Sequence, residues 1–340
     1  MNQNILTIGL AGLGRLGRHY ARNLAFNVPH AKLAAVCSPL EDEVAWARDT
    51  LGVERSYSDY AKMLADPTLD AVFLVTPTSL HANQIAQALD AGKHVFCEKP
   101  LSLELEACQR TVAHAARSPH LRAMVGFVRH FDASYCDAKA QIKAGAIGKP
   151  FMVYSQTADL LDPSGAFVKF APTSGGLFLD CSVHDVDLAR WLLGRPKAIR
   201  AYATGTVAVY DELKALGDID NGMAICEFEN GCTAMFHASR TQAHGHDTHT
   251  EITGTAGKLS IGRNPRMNRL EIADTHGVRS LSTPSFFERF GDAFHAQCVH
   301  FVDAVLDNKP FDLTLEDAAE ATRIAIALRQ SMQTHQSVAL

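Results

Sequence analysis

The residues best suited to chemistry lie in one stretch, Gly175-Gly176-Leu177-Phe178-Leu179-Asp180-Cys181-Ser182-Val183-His184-Asp185-Val186-Asp187-Leu188-Ala189-Arg190-Trp191-Leu192-Leu193-Gly194. Two glycines lead into a helical pattern that carries Asp180 and His184 at a spacing of four. Side chains at that spacing sit one turn apart on one helix face. An aspartate beside a histidine there can bind a hydroxyl group and accept its proton. Leu188, Trp191 and Leu192 form an apolar stripe at helical spacing, and Gly194 is a stop signal. An ordinary amphipathic helix with polar residues in its first turn would carry the same residues. Only the rest of the chain decides between the two.

A second chemistry-bearing pattern lies near the amino terminus. The apolar run Ile5 to Ala11 has strand length and passes into Gly12-Leu13-Gly14-Arg15-Leu16-Gly17, then a helical pattern through Leu24. In such a turn the first glycine makes the tight bend, the second admits a pyrophosphate, and the third lets helix pack on strand. Phosphates would meet free N–H groups at the helix start, where the dipole favours negative charge. The pattern reads as a dinucleotide site, against a simple packing turn. A fold that prefers NAD usually carries an acid about 20 residues past the glycines, on the ribose 2′-hydroxyl. Here the chain reads Ala35-Val36-Cys37-Ser38-Pro39-Leu40-Glu41, so Ser38 stands where that acid is expected. Losing a charged hydrogen bond weakens discrimination by roughly 1.5–3 kcal/mol. No arginine adjoins Ser38 to take a 2′-phosphate. The cofactor is therefore NAD by preference, with NADP left open.

The elements that must position these groups follow from periodicity. After the first strand and helix come a β-rich run Leu33 to Cys37, a helix about Glu43 to Thr50 and a buried strand Ala71 to Val75. Helix Ala82 to Ala91, strand His94 to Cys97, helix Leu103 to Ala116 and strand Arg122 to Gly126 complete the first part. Strands alternating with helices imply a doubly wound parallel sheet, a Rossmann domain over residues 1–125. The pattern then changes. Helix Ser134 to Ala144 and strand Phe151 to Gln156 precede the Asp180/His184 helix, and β-type runs follow at 198–209, 224–229, 232–239 and 248–253. Asn230-Gly231 is a hairpin signal. Residues 126–340 thus read as an α+β domain with a large, open, mainly antiparallel sheet, ending in an amphipathic helix from Glu316 to Met332.

Composition removes other classes. At 340 residues, 47% of them apolar, the chain can build two domains with substantial cores. A mild net charge of −5 with interspersed signs and no basic run speaks against nucleic acid. Met1 to Leu10 lacks the pattern of a secretory leader, and no uncharged apolar run approaches the ~18 residues of a membrane span. Eight scattered cysteines without a C-x-x-C pair read as buried thiols in a reducing compartment, hence the cytoplasm. His244-Gly245-His246-Asp247-Thr248-His249 has metal-ligand residue types, but its glycine-flanked setting reads as an exposed loop, so no metal is expected.

Two further motifs follow buried strands: Thr76-Pro77-Thr78-Ser79-Leu80-His81-Ala82, and Glu98-Lys99-Pro100 within His94-Val95-Phe96-Cys97-Glu98-Lys99-Pro100-Leu101. A lysine at the carboxyl end of a parallel strand lies where open α/β sheets bind ligands. The proline after it allows a cis bond that would fix its direction. With these motifs, with Gly126-Phe127-Val128-Arg129-His130-Phe131-Asp132 and with the Asp-x-x-x-His helix, nearly the whole chain resembles the Gfo/Idh/MocA oxidoreductases. This is the family of glucose–fructose oxidoreductase and inositol dehydrogenase, and the chain looks most like the inositol 2-dehydrogenase branch. It departs at His130, where that branch has a second arginine, and at Ser38, where the ribose-binding acid is usual.

The resemblance implies an NAD(P)-dependent enzyme that oxidises a ring secondary alcohol of myo- or scyllo-inositol to the ketone. The alternatives are a pyranose dehydrogenase of the same family and a non-catalytic dinucleotide-binding sensor. By the same resemblance His184 takes the hydroxyl proton, Asp180 accepts a hydrogen bond from a substrate hydroxyl, and Lys99 orients the reacting oxygen. Histidine's ordinary pKa of about 6.5 suits a general base, whose contribution is typically about 10²–10⁴ in rate. Arg129 and Asp159, the latter in the loop after the Phe151 strand, are expected to touch the substrate as well. Cofactor contacts are expected from Gly12, Gly14, Arg15, Leu16, Gly17, Ser38, Thr76, Pro77, His81, Glu98 and Lys99. Family members associate through the open face of the second sheet, so a homo-oligomer, a tetramer, is expected, with a small polyol as the other partner.

Overall fold

The computed structural model describes residues 5–340; the first four positions, part of the stretch read for a leader, lie outside the described residues. The chain divides into two compact units. One takes the chain up to Val128 together with Asp292–Glu320, and the other takes Arg129–Gly291 and Ala321–Leu340. The chain thus crosses between the units three times, at 128–129, 291–292 and 320–321.

The first unit alternates β1 (Leu6–Ala11), α1 (Arg15–Phe26), β2 (Ala31–Cys37), α2 (Glu41–Leu51), β3 (Arg55–Tyr57), α3 (Tyr60–Leu64), β4 (Ala71–Leu74), α4 (Thr78–Asp90), β5 (His94–Glu98), α5 (Leu105–Ala115) and β6 (Ala123–Gly126). All strand pairs are parallel, in the order β3-β2-β1-β4-β5-β6. The continuous apolar runs of β1 and β4 are what a strand covered by helices on both faces requires. The chain reverses direction across the sheet between β1 and β4, and ligands bind such folds at that point, beyond the carboxyl ends of the strands. Gly12, Ser38, Thr76 and Lys99 all lie just past carboxyl ends, of β1, β2, β4 and β5 respectively.

The second unit runs α6 (Ala133–Lys143), β7 (Pro150–Leu160), α7 (Ala166–Ser174), a π-helical turn Phe178–Ser182, α8 (Val183–Leu192), β8 (Ala198–Thr206), β9 (Asn221–Phe228), β10 (Thr233–Gln242), β11 (Asp247–Gly254), β12 (Gly257–Ile261) and the small hairpin β13 (Glu271–Asp274) and β14 (Gly277–Ser280). Then follow α9 (Phe286–Leu306), α10 (Leu315–Thr334) and β15 (Val338–Ala339). The large sheet has the order β12-β11-β7-β10-β9-β8-β15 and is mixed, because β10 runs parallel to β7 while its other pairs are antiparallel.

Burial alternates along the central strands of this sheet. Val153, Ser155 and Thr157 of β7 are buried, while Met152 is exposed and Tyr154 and Gln156 are partly so. On that same outward side Tyr202, Met223 and Ile225 are 43%, 53% and 44% exposed. Register places Tyr202, Ile225, Met235 and Tyr154 in one row across four strands.

Helix α9 has no counterpart in the sequence reading. It is kinked at Phe290, and beyond Gly291 the chain rejoins the first unit. There Phe294 and Phe301 pack edge-on against Tyr20 and Phe73, and Phe73 stacks on Phe96 at 4.5 Å. The unit's sheet core is therefore completed by rings that lie more than 200 residues downstream of their partners. No helix among the described residues is long and apolar enough to cross a membrane. None of the eight cysteines forms a disulfide, and Cys136 is the exposed one.

Candidate active site

The glycine turn after β1 is built as its spacing demands. Gly12 has φ +91°, and a Cβ there would lie 2.3 Å from the Val75 carbonyl oxygen; one at Gly17 would lie 1.9 Å from that of Gly12. Those two glycines let α1 close on β1 and β4. Gly14 differs, since a Cβ there would meet nothing within 4 Å. It is the N-cap residue of α1, no side chain caps that helix, and Arg15 beside it is exposed. An uncapped helix start behind an open glycine fits a pyrophosphate.

Lys99 leaves the end of β5 partly exposed, and the Lys99–Pro100 peptide is cis. Its backbone N–H donates to Glu98 Oε2 at 3.0 Å, while Glu98 Oε1 accepts from the Tyr20 hydroxyl, itself a 2.7 Å acceptor for Gln297 Nε2. Burial raises the Glu98 carboxyl above its ordinary pKa, against the pull of Tyr20 and Lys99. Both of its oxygens are taken up by inward bonds, so the Glu98 side chain anchors the lysine turn. The His81 ring is likewise enclosed. Its Nδ1 lies 2.8 Å from the Pro100 carbonyl and its Nε2 2.9 Å from that of Thr76, with the ring 1% exposed. Desolvation holds its pKa below the usual value. The ring clamps the Thr76-Pro77 turn to the loop after Lys99. Thr76 itself is partly exposed, donating 2.5 Å to Gln84 Oε1, and Pro77 is exposed at the start of α4.

In the second unit the segment 177–193 is buried throughout, save at Asp180 and His184, which are partly open. The amphipathic alternative is thereby corrected: even Asp185, Asp187 and Arg190 are buried, at 0%, 3% and 7% exposure. The expected unbroken α-helix is corrected too. Asp180 sits in the π-helical turn, whose entry is tied by Leu177 N–H donating 3.0 Å to Asp218 Oδ1, and α-helix begins only at Val183. Single π turns of this kind are frequent at functional sites.

Several buried polar residues around the helix are paired. Arg129 Nη1 donates to Asp185 Oδ1 at 2.6 Å and Arg129 Nη2 to Thr157 Oγ1 at 2.5 Å. The Ser155 and Thr157 hydroxyls donate to the same aspartate at 2.6 and 2.7 Å. With its side chain 3% exposed, Arg129 is a buried ion-pair partner of α8, which replaces the expected hydroxyl contact. His130 pairs with Asp187 at 2.7 Å and lies 4.2 Å from the Trp191 ring, so it too is interior.

Asp180 is met by a group that sequence reasoning missed. Arg240, on β10, donates through Nη2 to Asp180 Oδ2 and through Nη1 to Asp159 Oδ2 at 3.2 Å. Asp159 in turn contacts His246 Nδ1 at 2.9 Å. Asp159 lies within β7, not in a loop, because the strand continues to Leu160. Burial alone would raise its carboxyl, but the His246 hydrogen bond and the Arg240 charge reverse this and hold it at about 2. His246 is 3% exposed, so the exposed-loop reading of the His-rich stretch is corrected. Among the described residues no three His, Cys, Asp or Glu side chains gather as a metal site. One signal was present in that stretch: His246, Thr248 and Thr250 alternate at period two with residues of the outward face.

Comparison with known proteins decides the family. The family model described as oxidoreductase family, NAD-binding Rossmann fold, matches residues 6–127, and that family's C-terminal alpha/beta domain model matches residues 139–340. The chain belongs to the Gfo/Idh/MocA oxidoreductases. It is similar to the scyllo-inositol 2-dehydrogenase (NAD(+)) of Bacillus subtilis, 37% identical over 97% of this chain and 94% of that protein. It is also similar to the myo-inositol 2-dehydrogenase of Thermotoga maritima, 31% identical over 98% of each. Among solved structures, the scyllo-inositol dehydrogenase of Lactobacillus casei with bound NAD(H) and scyllo-inositol superposes with a TM-score of 0.95 at 38% identity, over 98% of this chain and 99% of that one. The myo-inositol 2-dehydrogenase of Lactobacillus plantarum reaches 0.95 at 34% identity, over 99% of both chains. As a Gfo/Idh/MocA member the chain is an oxidoreductase whose first domain takes NAD, in line with the open Gly14 and the uncapped α1.

Proposed function

We propose that the chain is an NAD-dependent inositol 2-dehydrogenase, oxidising one ring secondary alcohol of scyllo- or myo-inositol to the ketone. One observation carries this reading: the partly open residues of the otherwise buried segment 177–193 are an acid and a base, Asp180 and His184. The names of the similar proteins, inositol 2-dehydrogenases from several bacteria, support the same substrate class.

Bound nicotinamide supplies the hydride acceptor. His184 accepts the proton of the reacting hydroxyl on its imidazole, which leaves the carbon–oxygen bond free to become a carbonyl. Lys99 donates to the reacting oxygen and stabilises its developing negative charge. Asp180, held in place by the Arg240 guanidinium, accepts a hydrogen bond from a neighbouring ring hydroxyl. Asp159 and His246 stand behind Arg240 and fix its direction. Arg129 acts through Asp185, as a positioning residue for the helix that carries His184. Gly12, Gly14, Arg15, Leu16 and Gly17, with the first N–H groups of α1, hold the pyrophosphate. The outward face of the second sheet, with Tyr202, Met223 and Ile225, joins copies of the chain into a tetramer. The buried thiols suit a cytoplasmic setting.

The test crosses NAD and NADP with scyllo-inositol, myo-inositol and a set of pyranoses, following the absorbance of reduced nicotinamide. Turnover of an inositol with NAD is the expected result. Turnover of pyranoses alone would overturn the substrate assignment.

A further inference from the structure

Residue Ser38 stands where a Rossmann fold usually keeps the carboxylate that binds the adenosine ribose and repels a 2′-phosphate. The structure brings a carboxylate to that position from elsewhere. Ser38 is the first residue past β2 and is 2% exposed, with its N–H donating 3.0 Å to the Tyr57 carbonyl. Its hydroxyl donates 2.5 Å to Glu43 Oε2 and accepts the Leu40 N–H at 3.1 Å. Glu43 is the third residue of α2 and is partly exposed; among the described residues its Oε1 has no hydrogen-bond partner. Glu41 and Asp42 already place acids in the first turn of α2, where the helix dipole favours them, but they are exposed. Only Glu43 is tied to the end of β2.

The surrounding cations are committed as well. Arg55, on the neighbouring strand, is bonded to Ala34 O at 3.2 Å and to Asp66 and Thr68 at 2.5 Å. The guanidinium groups of Arg18 and Arg22 lie 4.9 and 5.6 Å from the Trp46 ring centre. We infer that Glu43, pinned by Ser38, is the ribose-binding carboxylate of this chain and sets its preference for NAD(H) over NADP(H). A free Oε1 accepts from a ribose hydroxyl, whereas a 2′-phosphate would bring about two negative charges against it. This deepens the proposed function, resting on its cofactor and not on its polyol.

The test is a fluorescence titration of the full chain with NADH and with NADPH, in the absence of any polyol, so it reads the same whether or not inositol is the substrate. Wild type is expected to bind NADH more tightly. In Glu43→Gln the ratio of the NADPH to the NADH dissociation constant should fall on the order of tenfold, the scale of one like-charge contact near a surface. Asp42→Asn, which removes an equal charge from the same turn, should leave the ratio within about twofold, as expected of a solvent-screened charge. Ser38→Ala, which keeps the carboxylate but unpins it, should lower the ratio in part and serves if Glu43→Gln fails to fold. An unchanged ratio in the foldable variant, an equal fall in Asp42→Asn, or a wild type that favours NADPH would overturn the assignment.

Discussion

Arg129 shows how one residue changes meaning between sequence and structure. By residue type it suits ring hydroxyls; in the fold it is closed in by Asp185, Thr157 and the ring of Phe290, 5.7 Å from its guanidinium carbon. Removing one partner of such a pair leaves the other charge buried without compensation. Arg129→Met should therefore cost about 3–5 kcal/mol in urea unfolding, and Arg129→Lys should recover only part of it, lacking the forked geometry. A loss below 1 kcal/mol, the level of an exposed pair, would show that the pair is not the brace described here. Asp180 changes meaning in the opposite sense, gaining a partner that no local pattern announces. Arg240 lies 60 residues away, on β10, and contact at such a separation leaves no periodic trace.

Most of the individual elements were legible. The glycine turn, the alternating strands and helices of the first unit, the Asn230-Gly231 hairpin and the last long helix follow from local chemistry and period. What was not legible depends on tertiary context. The π turn at Asp180 has no composition of its own, and α9 was hidden because its apolar residues face partners more than 200 positions earlier in the chain. The parallel pairing of β10 with β7 is likewise a matter of topology that strand patterns do not encode. The second sheet's outward row also belongs to this scale. Tyr202, Ile225, Met235 and Tyr154 align across four strands, and a charge at the centre of a subunit contact is costly to bury. Ile225→Lys, at a position 44% exposed in one chain, should convert the proposed tetramer into smaller species by light scattering on a sizing column, with secondary structure retained. An unaltered assembly would place the contact elsewhere.

At the scale of the whole molecule, the groups proposed for the reaction are divided between the two units. The first carries the open Gly14, the uncapped start of α1 and the Lys99 turn; the second carries Asp180 and His184 on a helix that is otherwise wholly interior. The chain's membership in the Gfo/Idh/MocA oxidoreductases accounts for the pairing of those two domains. The claim that His184 moves the proton is the point on which the account turns. It is met most directly by comparing inositol oxidation and NADH binding in wild type and His184→Ala. A fall in kcat of about 10²–10⁴ is expected, with the NADH dissociation constant unchanged. A His184→Ala enzyme that turns over inositol at the wild-type rate would contradict it.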